Sequence, residues 1–154
     1  MRLSHFLRAG LVIHGLDASD RNEALRKISA FLEEGGFVPS HGGVFEALRA
    51  REEVHTTTLG EGVAVPHAVI PTLEEILLVV ATAREPLLFG PPDASPVDLL
   101  FTLLSPPGRE AEHIKLLARI CRLVRHPGSL EELRAAPGPQ ELFEAILAVD
   151  SQHV

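Results

Sequence analysis

Histidines are the residues in this chain best suited to chemistry near neutral pH, because the imidazole changes charge in that range. His67 is the most constrained of them and lies in the segment VAVPHA, residues 63–68. Pro66 fixes its own φ and biases Val65 towards an extended conformation, so the backbone entering His67 is stiff. The pattern predicts an imidazole held at the end of a short strand as a nucleophile or ligand. A loop histidine without chemical function is the alternative that these residues leave open.

His113 is the second candidate. It precedes an apolar stripe that begins at Ile114, and at helical spacing its neighbours include Leu116 and Ile120. We therefore expect His113 at the border of a buried helix face, with a partly buried histidine bonded to a carbonyl as the alternative. We interpret four others as solvated side chains, namely His5, His41, His126 and His153. His14 follows the first predicted strand and gives no further signal.

Other chemistries find little support in the sequence. His55, His67, His113 and Glu112 have ligand side chains, but no HExxH or CxxC spacing indicates a metal site. Neither GxGxxG nor GxxxxGK[ST] occurs, and a GxSxG nucleophile elbow is absent. We expect no metal and no cofactor. The single cysteine, Cys121, is predicted to be a small core residue.

Length and charge limit the function classes. The 154 residues are predicted to form a single domain over 1–154. The net charge of −7 argues against nucleic-acid partners, which favour a basic surface. The first ten residues lack the apolar run of a signal peptide, and no segment approaches the length that spans a bilayer. The expectation is a soluble, cytoplasmic protein with no direct membrane insertion.

The hydropathy pattern predicts an α/β (α+β) fold, a mixed β-sheet flanked by helices on both faces. Asp20 followed by Glu23 resembles a capping box for a first helix within 17–36. Nearly continuous apolar segments at 76–83 and 97–104 are typical of strands covered on both faces. The other predicted elements are strands at 11–13 and 63–65 and helices at 42–53, 112–124, 129–136 and 139–149.

The stretch from Glu52 to Ala68, EEVHTTTLGEGVAVPHA, resembles the phosphorylation-site signature of enzyme IIA domains of the fructose/mannitol class. This class of the bacterial phosphoenolpyruvate-dependent phosphotransferase system includes nitrogen-regulatory IIA proteins. The resemblance continues through residues 83–106 and 112–124. Every defined position of the signature is filled, by Glu52, Leu59, Gly60, Val63, Ala64, Val65, Pro66, His67 and Ala68.

The resemblance implies a phosphohistidine relay on a mixed sheet. It identifies His67 with the phosphorylated histidine and His113 with a second histidine lining the site. Arg51 corresponds to an arginine beside the phosphate, and Thr57 to a hydroxyl residue in the preceding loop. An arginine that only complements the dipole of its own helix is the alternative for Arg51. His55 and Thr58 stand where relatives often carry glycines, so the resemblance assigns His55 no role.

The implied activity is that of a phosphotransferase that needs no cofactor. The implied donor is an HPr-like phosphocarrier protein, and the acceptor is a IIB domain or a regulatory target. The capped helix after LVIHGLDASD, residues 11–20, resembles the nitrogen-regulatory type. The alternatives are a IIA subunit of a fructose/mannitol-type sugar transporter and a non-transferring interaction module with the same fold. A metal-dependent hydrolase is the third alternative.

Overall fold

A mixed β-sheet organises the molecule. In the computed structural model, which describes residues 2–152, six strands form one sheet with the path β1-β5-β6-β3-β2 and β4 added on β6. β5 runs parallel to β1 and antiparallel to β6, whereas β3 and β4 run parallel to β6. The strands are β1 (Val12–Leu16), β2 (Thr58–Gly60), β3 (Val63–Ala64), β4 (His67–Val69), β5 (Leu77–Leu87) and β6 (Val97–Ser105).

The central strands β5 and β6 are buried over most of their length, as their apolar sequence predicts. Helices flank this sheet, so the predicted fold class is confirmed. They are α1 (Arg21–Glu34), α2 (Val44–Val54), α3 (Glu110–Arg125), α4 (Ser129–Arg134) and α5 (Pro139–Gln152), and 3₁₀ turns at Leu3–His5 and Ala9–Leu11 precede β1. Within residues 2–152, every helix is too short or too polar to cross a membrane.

The first helix begins where its cap places it. The Asp20 carboxylate accepts a hydrogen bond from the Glu23 N–H at 2.9 Å, and Asp20 itself has extended backbone angles. This interaction satisfies one of the amide groups that a helix leaves unpaired at its start. The predicted helix is therefore confirmed, but it starts at Arg21 and not at residue 17.

The buried face of α3 differs from the prediction. Ile114 is 64 % exposed, and Cys121 is only partly buried. Arg119 occupies a buried position instead, because its guanidinium donates to Asp150 Oδ1 on α5 at 2.9 and 3.1 Å. The other carboxylate oxygen of Asp150 accepts from the Ser4 N–H at 3.2 Å. Hydropathy alone predicts an exposed Arg119, and its buried position depends on the ion pair with Asp150.

His67 begins a strand, whereas the sequence predicted that it follows one. β3 and β4 lie along the same side of β6 in one continuous register, with Val63 opposite Leu99 and His67 opposite Leu103. Pro66 separates the two strands because it has no N–H to contribute to the ladder. Its carbonyl still accepts from the Leu103 N–H at 2.9 Å. The proline therefore interrupts the strand without shifting it, and His67 is held by β6.

Candidate functional site

The imidazole of His67 has a defined tautomer. The ring is half-buried, and its Nδ1 lies 2.8 Å from the Val65 carbonyl oxygen. A carbonyl oxygen only accepts hydrogen bonds, so Nδ1 must carry the proton that forms this bond. In the neutral ring, Nε2 then holds the lone pair. The backbone two residues upstream thus leaves Nε2 as the nitrogen with a free lone pair.

His113 lies against this ring. It is in the first turn of α3, and the two imidazole centroids are 5.3 Å apart with the ring planes at 61°. Its Nδ1 is 2.6 Å from Oγ of Ser105, the last residue of β6. The structure therefore brings together the two histidines that the sequence singled out, through β4, the end of β6 and the start of α3.

Burial favours the neutral form of both rings. It lowers the pKa of His67 below its ordinary value, against an opposing effect of the Val65 carbonyl, and the positive charge of Arg51 lowers that pKa further. The pKa of His113 is also lowered, first by burial and then by the neighbouring His67. Neutral imidazole, not imidazolium, is therefore the main form of both side chains near pH 7.

Arg51 lies in the last turn of α2, within electrostatic reach of His67. Its Nη1 donates to the His55 carbonyl oxygen at 2.9 Å, just beyond the helix end. This contact at the helix end is the kind that the alternative, purely structural interpretation of Arg51 predicts. Because a guanidinium has five N–H donors, this contact leaves others for a ligand.

Thr57 is buried beside Glu52 and does not present its hydroxyl proton to the histidine pair. Its hydroxyl donates to Glu52 Oε1, and its N–H donates to Glu52 Oε2 at 3.0 Å. Burial raises the pKa of Glu52, although both Thr57 bonds and the charge of Arg51 oppose this effect. These contacts hold the loop after α2, and the phosphate-binding role of Thr57 stays a prediction.

Two residues of this region carried little sequence signal. Glu52 had only its place as the acidic first position of the signature, and Ser105 looks like an ordinary residue at the end of an apolar strand.

His55 is exposed, and its Nδ1 pairs with the neighbouring Thr56 carbonyl at 2.9 Å. Among residues 2–152, no group of three or more His, Cys, Asp or Glu side chains is placed to hold a metal ion.

Comparison with known families agrees with this geometry. The profile described as "Phosphoenolpyruvate-dependent sugar phosphotransferase system, EIIA 2" matches residues 5–149. The chain belongs to this EIIA family. The resemblance inferred from the signature around His67 is thereby confirmed.

Relatives of this EIIA domain include regulatory and sugar-specific proteins. A nitrogen regulatory protein of Bradyrhizobium diazoefficiens is 35 % identical over 146 residues, which cover 95 % of each chain. A 2-O-alpha-mannosyl-D-glycerate-specific EIIABC component of Escherichia coli is 31 % identical over 130 residues, 83 % of this chain but 20 % of that protein. The crystal structure of nitrogen regulatory protein IIA-Ntr from Neisseria meningitidis matches with a TM-score of 0.84 at 27 % identity, over 94 % of this chain and 98 % of that one.

Proposed function

We propose that this EIIA domain is a phosphocarrier that accepts a phosphoryl group on Nε2 of His67 from an HPr-like protein. It then passes the group on or carries it as a nitrogen-type regulatory signal. The observation that supports this proposal is the hydrogen bond from Nδ1 of His67 to the Val65 carbonyl, which leaves the Nε2 lone pair to attack phosphorus.

The transfer step exchanges one nitrogen–phosphorus bond for another. Nε2 of His67 forms a bond to phosphorus while the bond to the donor imidazole breaks, and the donor ring keeps the electron pair. Charge on the transferred oxygens calls for positioned cationic and N–H donors. Arg51 supplies a planar, permanently charged donor group to the phosphoryl oxygens. His113, whose ring lies next to that of His67, supplies a further hydrogen-bonding group. Positioning and electrostatics carry this step without a metal.

The regulatory form of this function has the better support. The nitrogen regulatory relative is matched over nearly the whole of both chains, whereas the chain spans only a fifth of the mannosylglycerate component. The second candidate is a IIA subunit of a sugar transporter, for which that component's name is the supporting observation. The two differ in the acceptor, a regulatory target protein in one case and a IIB domain in the other. We propose a cytoplasmic location for the protein under either function.

The first experiment measures intact mass after incubation with phosphoenolpyruvate, enzyme I and HPr. Wild type is expected to gain one acid-labile phosphoryl group, and His67→Ala is expected to gain none. His55→Ala is the matched control, because the exposed ring of His55 bonds only the neighbouring Thr56 carbonyl within residues 2–152, and the variant keeps the backbone carbonyl that Arg51 binds. It should be phosphorylated like wild type.

The same experiment separates the proposal from a non-transferring interaction module. An unmodified wild type, with an HPr that phosphorylates another IIA domain, would favour the module. A phosphoryl group that persists on His67→Ala would show that another histidine is the acceptor. Loss of the group from phosphorylated wild type on addition of a IIB domain would favour the transporter subunit over the regulator.

A further inference from the structure

Ser105 is the one side chain that hydrogen-bonds Nδ1 of His113 within residues 2–152. It is 1 % exposed and closes β6, and its Oγ lies 2.6 Å from that nitrogen. Its backbone carbonyl accepts from the Ile70 N–H at 2.8 Å, which anchors the residue in place. The Ser105 hydroxyl is therefore held rigidly against the imidazole of His113, which lies eight residues later in the chain.

The direction of this hydrogen bond follows from burial. A hydroxyl is both donor and acceptor, and so is a neutral imidazole nitrogen, depending on its tautomer. If Nδ1 donated, the Ser105 proton would be buried and would need another acceptor, and a buried donor without a partner is costly. If Ser105 donates, its proton is paired at a short O···N distance. The second arrangement satisfies the buried donor.

We propose that Ser105 is a positioning residue that donates its hydroxyl proton to Nδ1 of His113 and so keeps the ring proton of His113 on Nε2. Both histidines are then fixed with opposite roles. In His67, the backbone carbonyl holds the proton on Nδ1 and frees the Nε2 lone pair. In His113, the serine occupies the Nδ1 lone pair and leaves Nε2–H as a donor.

This arrangement assigns the neutral His113 a task in the transfer step. With its ring centroid 5.3 Å from that of His67, it presents an N–H donor to an oxygen of a phosphoryl group on His67. A ring in the other tautomer would present a lone pair to the anionic oxygens and repel them. The inference rests on the proposed phosphocarrier function, but the tautomer itself exists before any phosphoryl group arrives.

The tautomer is tested on the unphosphorylated protein by long-range ¹H–¹⁵N correlation of the histidine rings above neutral pH. In wild type, Nδ1 of His113 is expected to show the shift of an unprotonated nitrogen and Nε2 that of a protonated one. In Ser105→Ala, the two shifts should move towards the average of a tautomer mixture. Ser29→Ala is the matched control, because Ser29 is buried in α1 and its hydroxyl has no partner within the described chain.

The consequence for transfer is tested by the rate of phosphorylation from phosphorylated HPr. Ser105→Ala is expected to slow transfer by roughly two- to tenfold, between the effect of losing half of the donor tautomer and that of losing one whole hydrogen bond to the transferred group. In a His113→Ala background, Ser105→Ala should add no further loss, because the serine acts through that ring. Ser29→Ala should transfer at the wild-type rate.

Two results would overturn the role of Ser105. One is a wild-type spectrum with the proton of His113 on Nδ1, which needs no variant and so holds even if Ser105→Ala fails to fold. The other is an unchanged tautomer and rate in a folded Ser105→Ala. If wild type accepts no phosphoryl group while the predicted tautomer is present, the carrier function fails and the positioning by Ser105 stands.

Discussion

At His67, burial and a backbone hydrogen bond act on the pKa in opposite directions, and burial has the larger effect. The hydrogen bond to Val65 selects which nitrogen carries the proton, whereas burial selects how many protons the ring carries. A nucleophilic imidazole needs both properties. The ring must be neutral, and its free lone pair must be on the nitrogen that faces the phosphoryl donor. A solvated loop histidine would have neither property, because its tautomers interconvert and its ring titrates near the ordinary value.

Arg51 is the residue for which geometry and charge can be separated experimentally. Arg51→Lys retains the positive charge but loses the planar group that can bind two oxygens while also reaching the His55 carbonyl. We expect phosphorylation from HPr to slow by about tenfold, the rate equivalent of one charge-assisted hydrogen bond. Single-turnover transfer kinetics measure this effect.

The control for Arg51 lies on the same helix. Arg49 forms exposed ion pairs with Glu46 and Glu53, so Arg49→Lys should transfer at the wild-type rate. An Arg51→Lys variant as fast as Arg49→Lys would mean that Arg51 serves only its own helix end and the loop after it.

The loop between α2 and β2 depends on one carboxylate. Glu52, in the last turn of α2, is 3 % exposed and accepts both the N–H and the hydroxyl of Thr57. The Thr57 carbonyl in turn accepts from the Val65 N–H at 3.0 Å, and the carbonyl of Val65 itself orients His67. The side chain of Glu52 on α2 is thus connected to His67 through the backbone of Thr57 and that of Val65.

Glu52→Ala is expected to lower the free energy of unfolding by about 2 kcal/mol, because it leaves two buried donors of Thr57 without an acceptor. Denaturant unfolding followed by circular dichroism measures this change. The neighbouring Glu53→Ala removes an exposed carboxylate and should cost less than about 1 kcal/mol. Equal losses in the two variants would show that the Glu52–Thr57 contact does not stabilise the loop.

On the scale of the whole molecule, a buried ion pair joins parts that are far apart in sequence. Arg119 on α3 pairs with Asp150 on α5, and Asp150 also accepts from Ser4 in the first 3₁₀ turn. The two ends of the described chain therefore meet on the helix whose first turn carries His113. Removing one partner of such a pair is costly because the other charge stays buried.

The stability of the whole molecule should depend on the charge state of the two site histidines. Because their pKa values are lowered in the fold, the unfolded chain binds more protons than the folded chain once the pH falls below about 6.5, the ordinary histidine value. Their contribution is present above that pH and is lost progressively as the pH falls towards the folded pKa values.

We therefore expect the free energy of unfolding to fall less between pH 7.5 and 5.5 in a His67→Ala/His113→Ala double variant than in wild type. Comparing the two slopes cancels titrations that both share, including that of Glu52, whose raised pKa acts in the opposite direction at lower pH. Urea unfolding at several pH values measures the slopes. Parallel slopes would show that the two rings are not held neutral by the fold.

Much of the architecture is predictable from short stretches of sequence. The Asp20 cap, the two buried central strands and the stiff backbone before His67 each depend on residues within a few positions of one another, where steric limits and hydropathy act directly. The limits of the same reasoning appear at Ile114 and Arg119, because whether a helix position is buried depends on which element packs against it.

The sequence by itself determined that His67 follows a proline in a phosphorylation-site signature, and that His113 lies near the start of an amphipathic helix. Only the tertiary structure decided that the two rings lie 5.3 Å apart, that Val65 and Ser105 each hold one Nδ1, and that Glu52 takes up the hydroxyl of Thr57. The physical reason is the range of the interactions. Backbone sterics act between neighbours in the chain, whereas hydrogen bonds and burial act between neighbours in space, and these exist only once the sheet and its helices are packed.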